Sequence, residues 1–208
     1  RAPQGCYPAL GDDRWIVLSV GDDQGWADLC QLMGKPELAQ ESDFADLLSR
    51  QKNHDKIDEI IKEWTSGVDR YDLMHALQGV GIPAGPVLNS KDVHYDPQVK
   101  SRGFLERVDY PKERQMGSRM FIGRPYKFSN SPLAIRGPSP TFGQHNEDIL
   151  QGLLGVDSEA YQGLVNDAVI ATVPTTGEAT PRIPQEEALQ RGRLADWDPD
   201  YLQNLGLV

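Results

Sequence analysis

Cysteine is scarce in these 208 residues: Cys6 and Cys30 stand alone, with no Cys-x-x-Cys pair and no two histidines at metal-ligand spacing. Neither a disulfide framework nor a zinc site is expected. Cys30 falls on the stripe Trp26, Leu29, Cys30, Met33, where it reads as a small buried hydrophobe rather than a nucleophile. No apolar run approaches the ~20 residues of a spanning helix, and no charged-then-apolar leader opens the sequence, so no membrane and a cytoplasmic location are expected. Also missing are a glycine-rich phosphate loop, a Gly-x-Ser-x-Gly turn, a histidine beside a nucleophile and a conspicuous carboxylate pair. A complete catalytic constellation is therefore not expected within these residues.

What is present is ordinary for a soluble domain, with 38% hydrophobic and 25% charged residues. The net charge of −10 argues against general nucleic-acid binding, which needs a basic surface. The charge is uneven, however: between Lys91 and Arg136 ten lysines and arginines face five acids. Either that basic stretch lies against an acidic one, or it meets an anionic ligand such as a phosphorylated cofactor. Arg1 stands where a start methionine would, and Ala2-Pro3-Gln4-Gly5 has loop character, so a piece of a longer polypeptide is expected.

The organising stretch is Gly81-Ile82-Pro83-Ala84-Gly85-Pro86-Val87. Its prolines fix φ and push Ile82 and Gly85 to extended backbone, so it predicts a stiff link. Leu73, Met74, Leu77 and Val80 predict a helix before it, stopped by Gly79 or Gly81. After it, Asp96 predicts a cap, Pro97 a first helical residue and Gly103 a stop.

Elsewhere, Cys6–Leu10 and Trp15–Val20 predict two strands around the turn Gly11-Asp12-Asp13, the second apolar enough to be covered on both faces. Asp22 or Asp23 then caps a helix to Met33. Asp23, just past a strand end, stands where loops carry chemistry, although an acid there reads first as a cap. Short helical pieces over 35–51 would turn Phe44, Leu47 and Leu48 inward, and a helix after Asn53 would present Ile57, Ile60, Ile61 and Trp64. Asp69 caps the next. Phe104–Tyr110 and Met120–Ile122 predict a strand pair, and the prolines between Gly123 and Phe142 an extended strap. Asn146–Leu154 would turn Ile149, Leu150, Leu153 and Leu154 inward, with His145 flanking its start and a further helix opening at Ser158. From Ala171 to Glu186 the Thr, Pro and Gly content predicts a segment that is mobile or laid along a neighbour, and a short helix is expected near Asp198-Pro199. The fold class expected is α+β, helical with a small antiparallel sheet.

Four motifs in order, Gly81–Val87, Asp96-Pro97-Gln98-Val99-Lys100-Ser101-Arg102-Gly103, Gly123-Arg124-Pro125-Tyr126-Lys127-Phe128-Ser129 and Gly143-Gln144-His145-Asn146-Glu147-Asp148-Ile149-Leu150, resemble the C-terminal half of class III CoA-transferases. That family (the CaiB/BaiF type) includes formyl-CoA transferase, carnitine CoA-transferase and α-methylacyl-CoA racemase. Gln4-Gly5-Cys6-Tyr7, Trp26, Asp43-Phe44 and Arg50 fall where the family has similar residues, and the likeness spans Ala2 to Ile170. The resemblance implies a smaller domain over residues 1–122, a strap over 123–142 and helices over 143–170 returning to a Rossmann-like larger domain. That larger domain would lie mostly outside these residues, with subunits interlocked as a homodimer and a tail over 171–208.

It further implies a transferase with acyl-CoA and a carboxylic acid as substrates and no permanently bound cofactor. Its attacking aspartate would lie before Arg1, so that the segment alone would be inactive. The substrate-side residues implied here are Gln4 and Gly5, beside a glycine-rich lid. Asp23 joins them because racemases of the family carry an acid near its position. The alternatives are a racemase of the same family, moving a proton beside the thioester carbonyl, and a noncatalytic module completing a partner's site.

Overall fold

The computed structural model describes residues 1–174 and 183–208. It divides into two units, Arg1–Val93 and His94–Val208.

In the first unit, β1 (Gln4–Pro8) and β2 (Trp15–Ser19) form a hairpin in antiparallel register, Gln4 opposite Ser19 and Pro8 opposite Trp15. The expected turn falls at Gly11 to Asp13, where Asp13 takes positive φ. The link after Gly81 is more than a spacer: Ala84–Pro86 is a third strand, β3, pairing with β2 to give the order β1-β2-β3. Proline is tolerated there because β3 is an edge. Against expectation, β2 is covered on one face only, with Ile16 and Leu18 buried and Trp15 and Val17 exposed. A three-stranded antiparallel sheet with helices on one side leaves the other to solvent.

The covering helices are α1 (Asp23–Leu32), α2 (Leu47–Lys52), α3 (His54–Thr65) and α4 (Arg70–Gly79), with a 3-10 turn at Pro36–Gln40. Ile57 and Ile61 of α3, Leu73 and Leu77 of α4, and Trp26, Leu29 and Cys30 of α1 join Ile16, Leu18 and Val20 in one core. Each such side chain contributes about 1.5–3 kcal/mol of burial. Gly81, at φ +82, makes the expected stop after α4. Leu47 and Leu48 were expected to face inward and instead are exposed, while Arg50 of the same helix is completely buried. The hydrogen bonds of Arg50, described below, decide which side of α2 meets the core. The unit ends on an ionic clamp: Asp92 pairs with Arg70 Nη2 at 2.8 Å and Arg14 Nη1 at 3.4 Å, and Arg70 also donates to the Val87 carbonyl at 2.6 Å.

Helix α5 (Ser90–Tyr95), absent from the sequence expectation, straddles the division. In the second unit Asp96 caps α6 (Pro97–Ser101) by accepting from Val99 N, as expected. Strands β4 (Leu105–Asp109) and β5 (Ser118–Ile122) pair antiparallel, Leu105 opposite Ile122. The strap is tied back to them by Glu106, which accepts from Arg124 Nη1 at 3.0 Å and from the Ile135 N–H at 2.5 Å. Asp148–Leu153 winds as a π-helix, and α7 (Ser158–Asn166) follows, capped by Asp157. Ile149, Leu153 and Leu154, expected to turn inward, are exposed, because nothing among the described residues covers that side. Much of the expected Thr/Pro-rich segment, residues 175–182, lies outside the described residues. Beyond it come α8 (Gln185–Gln190), which the sequence did not predict, and the expected short helix α9 (Tyr201–Asn204).

Among the described residues no helix is long and apolar enough to cross a membrane, and no group of three or more His, Cys, Asp and Glu could hold a metal ion.

Candidate functional site

The open end of the β1–β2 hairpin gathers what the sequence singled out. Gln4 and Ser19 form the last pair of the ladder, Ser19 Oγ donates to Gln4 Oε1 at 3.4 Å, and Arg1 reaches Ser19 Oγ at 3.4 Å. From Ser19 the chain runs four residues to Asp23 at the start of α1.

The two acids there divide the work. Asp22 is the cap, accepting from Gly25 N at 2.8 Å. Asp23 is left for Arg50, whose Nη2 meets Asp23 Oδ1 at 2.5 Å. Arg50 also donates from Nε to the Ala2 carbonyl at 2.9 Å and from Nη1 to the Phe44 carbonyl at 3.0 Å. Its guanidinium lies 5.8 Å from the centre of the Trp26 ring, which meets Phe44 edge-on at 6.0 Å. The Arg50 side chain is 0% exposed and that of Asp23 is 67% exposed, so the ion pair runs from the core to the surface.

Gly5 has a packing reason to be glycine. A Cβ there would lie 2.9 Å from Tyr7 Cζ and Oη, inside any real contact distance. Tyr7 shares that face and donates to Asp58 Oδ1 at 2.7 Å, and Asp58 Oδ2 pairs with His54 Nδ1 at 2.9 Å. Burial first, and then the Asp58 hydrogen bond, raise the Tyr7 phenol above its ordinary pKa, so it stays a neutral donor. Burial likewise pushes the Cys30 thiol up to about 12, which leaves it protonated and unreactive.

Gln4 and Asp23 are thus brought to one end of the sheet, and the missing side chain of Gly5 leaves room for the Tyr7 ring. Residue patterning did not find the role of Arg50; the family likeness named it without saying what it holds. The signal was the doubled acid Asp22-Asp23: one helix start needs one cap, and the second acid needs a basic partner.

The second unit holds a separate cavity of about 270 Å³ between α6, β4, β5 and α9, lined by His94, Val99, Lys100, Leu105, Met120 and Leu205 among others. Lys100 Nζ stands 5.1 Å from the centre of the Tyr95 ring, and Arg107 donates to the Gly206 carbonyl at 2.8 Å, fastening the chain end beside the cavity.

The chain is 32% identical to a formyl-CoA:oxalate CoA-transferase of Streptomyces coelicolor over 165 residues, covering 79% of this chain and 39% of that protein. It is 29% identical over 160 residues to the succinyl-CoA–L-malate CoA-transferase beta subunit of Chloroflexus aurantiacus, covering 76% of this chain and again 39% of the relative. Among solved structures, a CaiB/BaiF family protein from Brucella suis superposes with a TM-score of 0.57 at 29% identity, over 73% of this chain and 38% of that one. The chain therefore spans about two fifths of the length of these relatives. Residues 1–146 match the family model described as CoA-transferase family III, and the chain belongs to that family.

Proposed function

We propose that these residues are the C-terminal part of a CoA-transferase that moves CoA between an acyl-CoA and a carboxylic acid. In this reading an aspartate upstream of Arg1 attacks the thioester carbonyl. The carbon–sulfur bond breaks, CoA leaves as thiolate, and an acyl-aspartyl anhydride forms. The acceptor carboxylate obtains CoA by further anhydride exchange, and no resident cofactor is needed. One observation carries the assignment of the attacking group to upstream residues. The carboxylate at the mouth of this site, Asp23, is already engaged through one oxygen by a buried guanidinium, which draws charge from the whole carboxylate and makes it a weaker nucleophile. Gln4, Gly5 and Asp23 then form the substrate-side edge, binding and orienting while the attack comes from elsewhere.

The relatives' names support transfer of CoA between an acyl-CoA and an organic acid. The coverage of about two fifths supports a larger partner domain, Rossmann-like by family resemblance, with residues 1–122 as the smaller domain, 123–142 as the strap and 143–170 as the return. Exposed Ile149, Leu153, Leu154 and Val169 support a covering surface for that return, whether from the same subunit or from an interlocked second one.

Asp23 also favours a second reading, a racemase of the same family, because a held acid at the entrance of the site suits proton movement beside a thioester carbonyl. The polypeptide extended upstream of Arg1, incubated with an acyl-CoA and hydroxylamine, separates the two. Transfer predicts one upstream aspartate labelled as the hydroxamate. Solvent deuterium entering the acyl α-carbon with no labelling would establish the racemase instead.

A further inference from the structure

Resting on the reading that Asp23 belongs to the substrate-side edge, we propose that Arg50 is a positioning residue. It fixes the Asp23 carboxylate through one oxygen and leaves the other for a hydrogen-bond donor of the acyl-CoA. Three observations carry this. The guanidinium is wholly buried, and each of its nitrogens is spent on a different element: Nε on Ala2 ahead of β1, Nη1 on Phe44 ahead of α2, Nη2 on Asp23 of α1. With three acceptors in three directions the fork cannot rotate, so the oxygen it holds cannot wander either.

Burying a guanidinium is costly and calls for a counter-charge. The chain supplies that counter-charge with a carboxylate at the surface rather than a buried one, so the pair delivers a fixed anion to solvent. Among the described residues Asp23 Oδ2 has no protein partner. A carboxylate so held accepts hydrogen bonds and repels anions. Its fitting ligand is therefore an N–H donor such as the amides of the pantetheine arm, and neither a phosphate nor the acceptor carboxylate.

The test uses the full-length enzyme and compares Arg50→Lys, Asp23→Ala and the double variant, each with its melting temperature. A hydrogen bond to a charged group corresponds to a roughly 10- to 100-fold change. Each single variant is expected to raise KM for acyl-CoA by that much, with kcat and the KM of the acceptor acid within about twofold, as for a uniform-binding contact. The double variant is expected to be no worse than the worse single, because both changes remove one contact.

A raised KM for Asp23→Ala with an unchanged one for Arg50→Lys would overturn the role of Arg50 and leave Asp23 on the substrate-side edge. Unchanged KM in both would remove both. Should Arg50→Lys fail to fold, Asp23→Asn decides. Its amide oxygen still accepts from Nη2 while its NH2 group replaces the free oxygen, so a raised KM, read well below the variant's own melting temperature, supports the proposal and an unchanged KM overturns it. A parent enzyme with no transferase activity would instead sink the function proposed above.

Discussion

The two units spend their apolar residues differently. Residues 1–93 close Ile16, Val20, Trp26, Leu29, Ile57, Ile61, Leu73 and Leu77 into one core, each at or near zero exposure. In residues 94–208 the described buried apolar side chains include Val108, Ala188 and Leu207, at 4–9% exposure, while Ile122, Tyr126, Phe128, Phe142, Leu153 and Leu154 stay open. Compositional averages over the whole chain conceal this. The first unit can supply its own hydrophobic stabilisation, whereas the second holds its shape through hydrogen bonds, such as those of Glu106 to the strap and Arg107 to Gly206, and keeps an apolar surface that water covers poorly. One unit is closed around its own core, and the other leaves large apolar side chains open among the described residues.

The comparison is broken most directly through the clamp that ends the first unit. Asp92→Ala leaves Arg70 buried with the Val87 carbonyl still accepting from it, and loss of the half-buried carboxylate is expected to cost up to about 3–5 kcal/mol, the figure for a fully buried pair. The first unit's melting transition is expected to drop accordingly, with that of the second unit unmoved. The same carboxylate sets an acid limit. Burial opposes its ionisation, but the Asn89 N–H and the Arg70 and Arg14 guanidinium groups prevail and hold it below its usual 3.8. A group depressed in the folded state stabilises above its unfolded pKa, and that stabilisation is lost as pH falls through the folded one. Far-UV circular dichroism below about pH 4 should therefore show the first unit losing stability, and Asp92→Asn should flatten that limb.

Leu77→Ala probes the core itself. Removing a fully buried leucine is expected to cost about 2–5 kcal/mol by urea titration. A value below 1 kcal/mol would mean that the first unit is no better packed than the second. Gly5→Ala is milder. Its Cβ would press on the Tyr7 ring, an overpacking worth about 1–3 kcal/mol, and Gly5→Ala with Tyr7→Phe should recover little, because Cζ lies as close as the hydroxyl.

How legible each unit was follows from the same contrast. In the first, the helix caps Asp69 and Asp22, the stop at Gly81 and the stripe through Trp26 and Leu29 could be read because local signals and core burial agree there. Reading failed at Arg50, where a long-range polar demand overrode the apolar residues Leu47 and Leu48, and at β3, where prolines concealed an edge strand. In the second unit, Ile149 and Leu153 carry a helical stripe, but a stripe states only that something should cover it, and nothing among the described residues does. For the site, the residue pattern could isolate Asp23 as an acid beyond a strand end. Its partner 27 positions away was out of reach of any local rule.

The smallest effect expected is also the most telling for the second unit. Leu153 is 78% exposed, so Leu153→Ser in the 208-residue chain should change stability by no more than about 0.5 kcal/mol, the range of surface substitutions. In the polypeptide extended upstream of Arg1 the same change is expected to cost about 2 kcal/mol, because burial of a leucine side chain is worth 1.5–3 kcal/mol and a serine hydroxyl in its place needs a partner. Equal effects in the two contexts would mean that this side of the π-helix stays bare in the longer protein, and the second unit would then be complete as it stands.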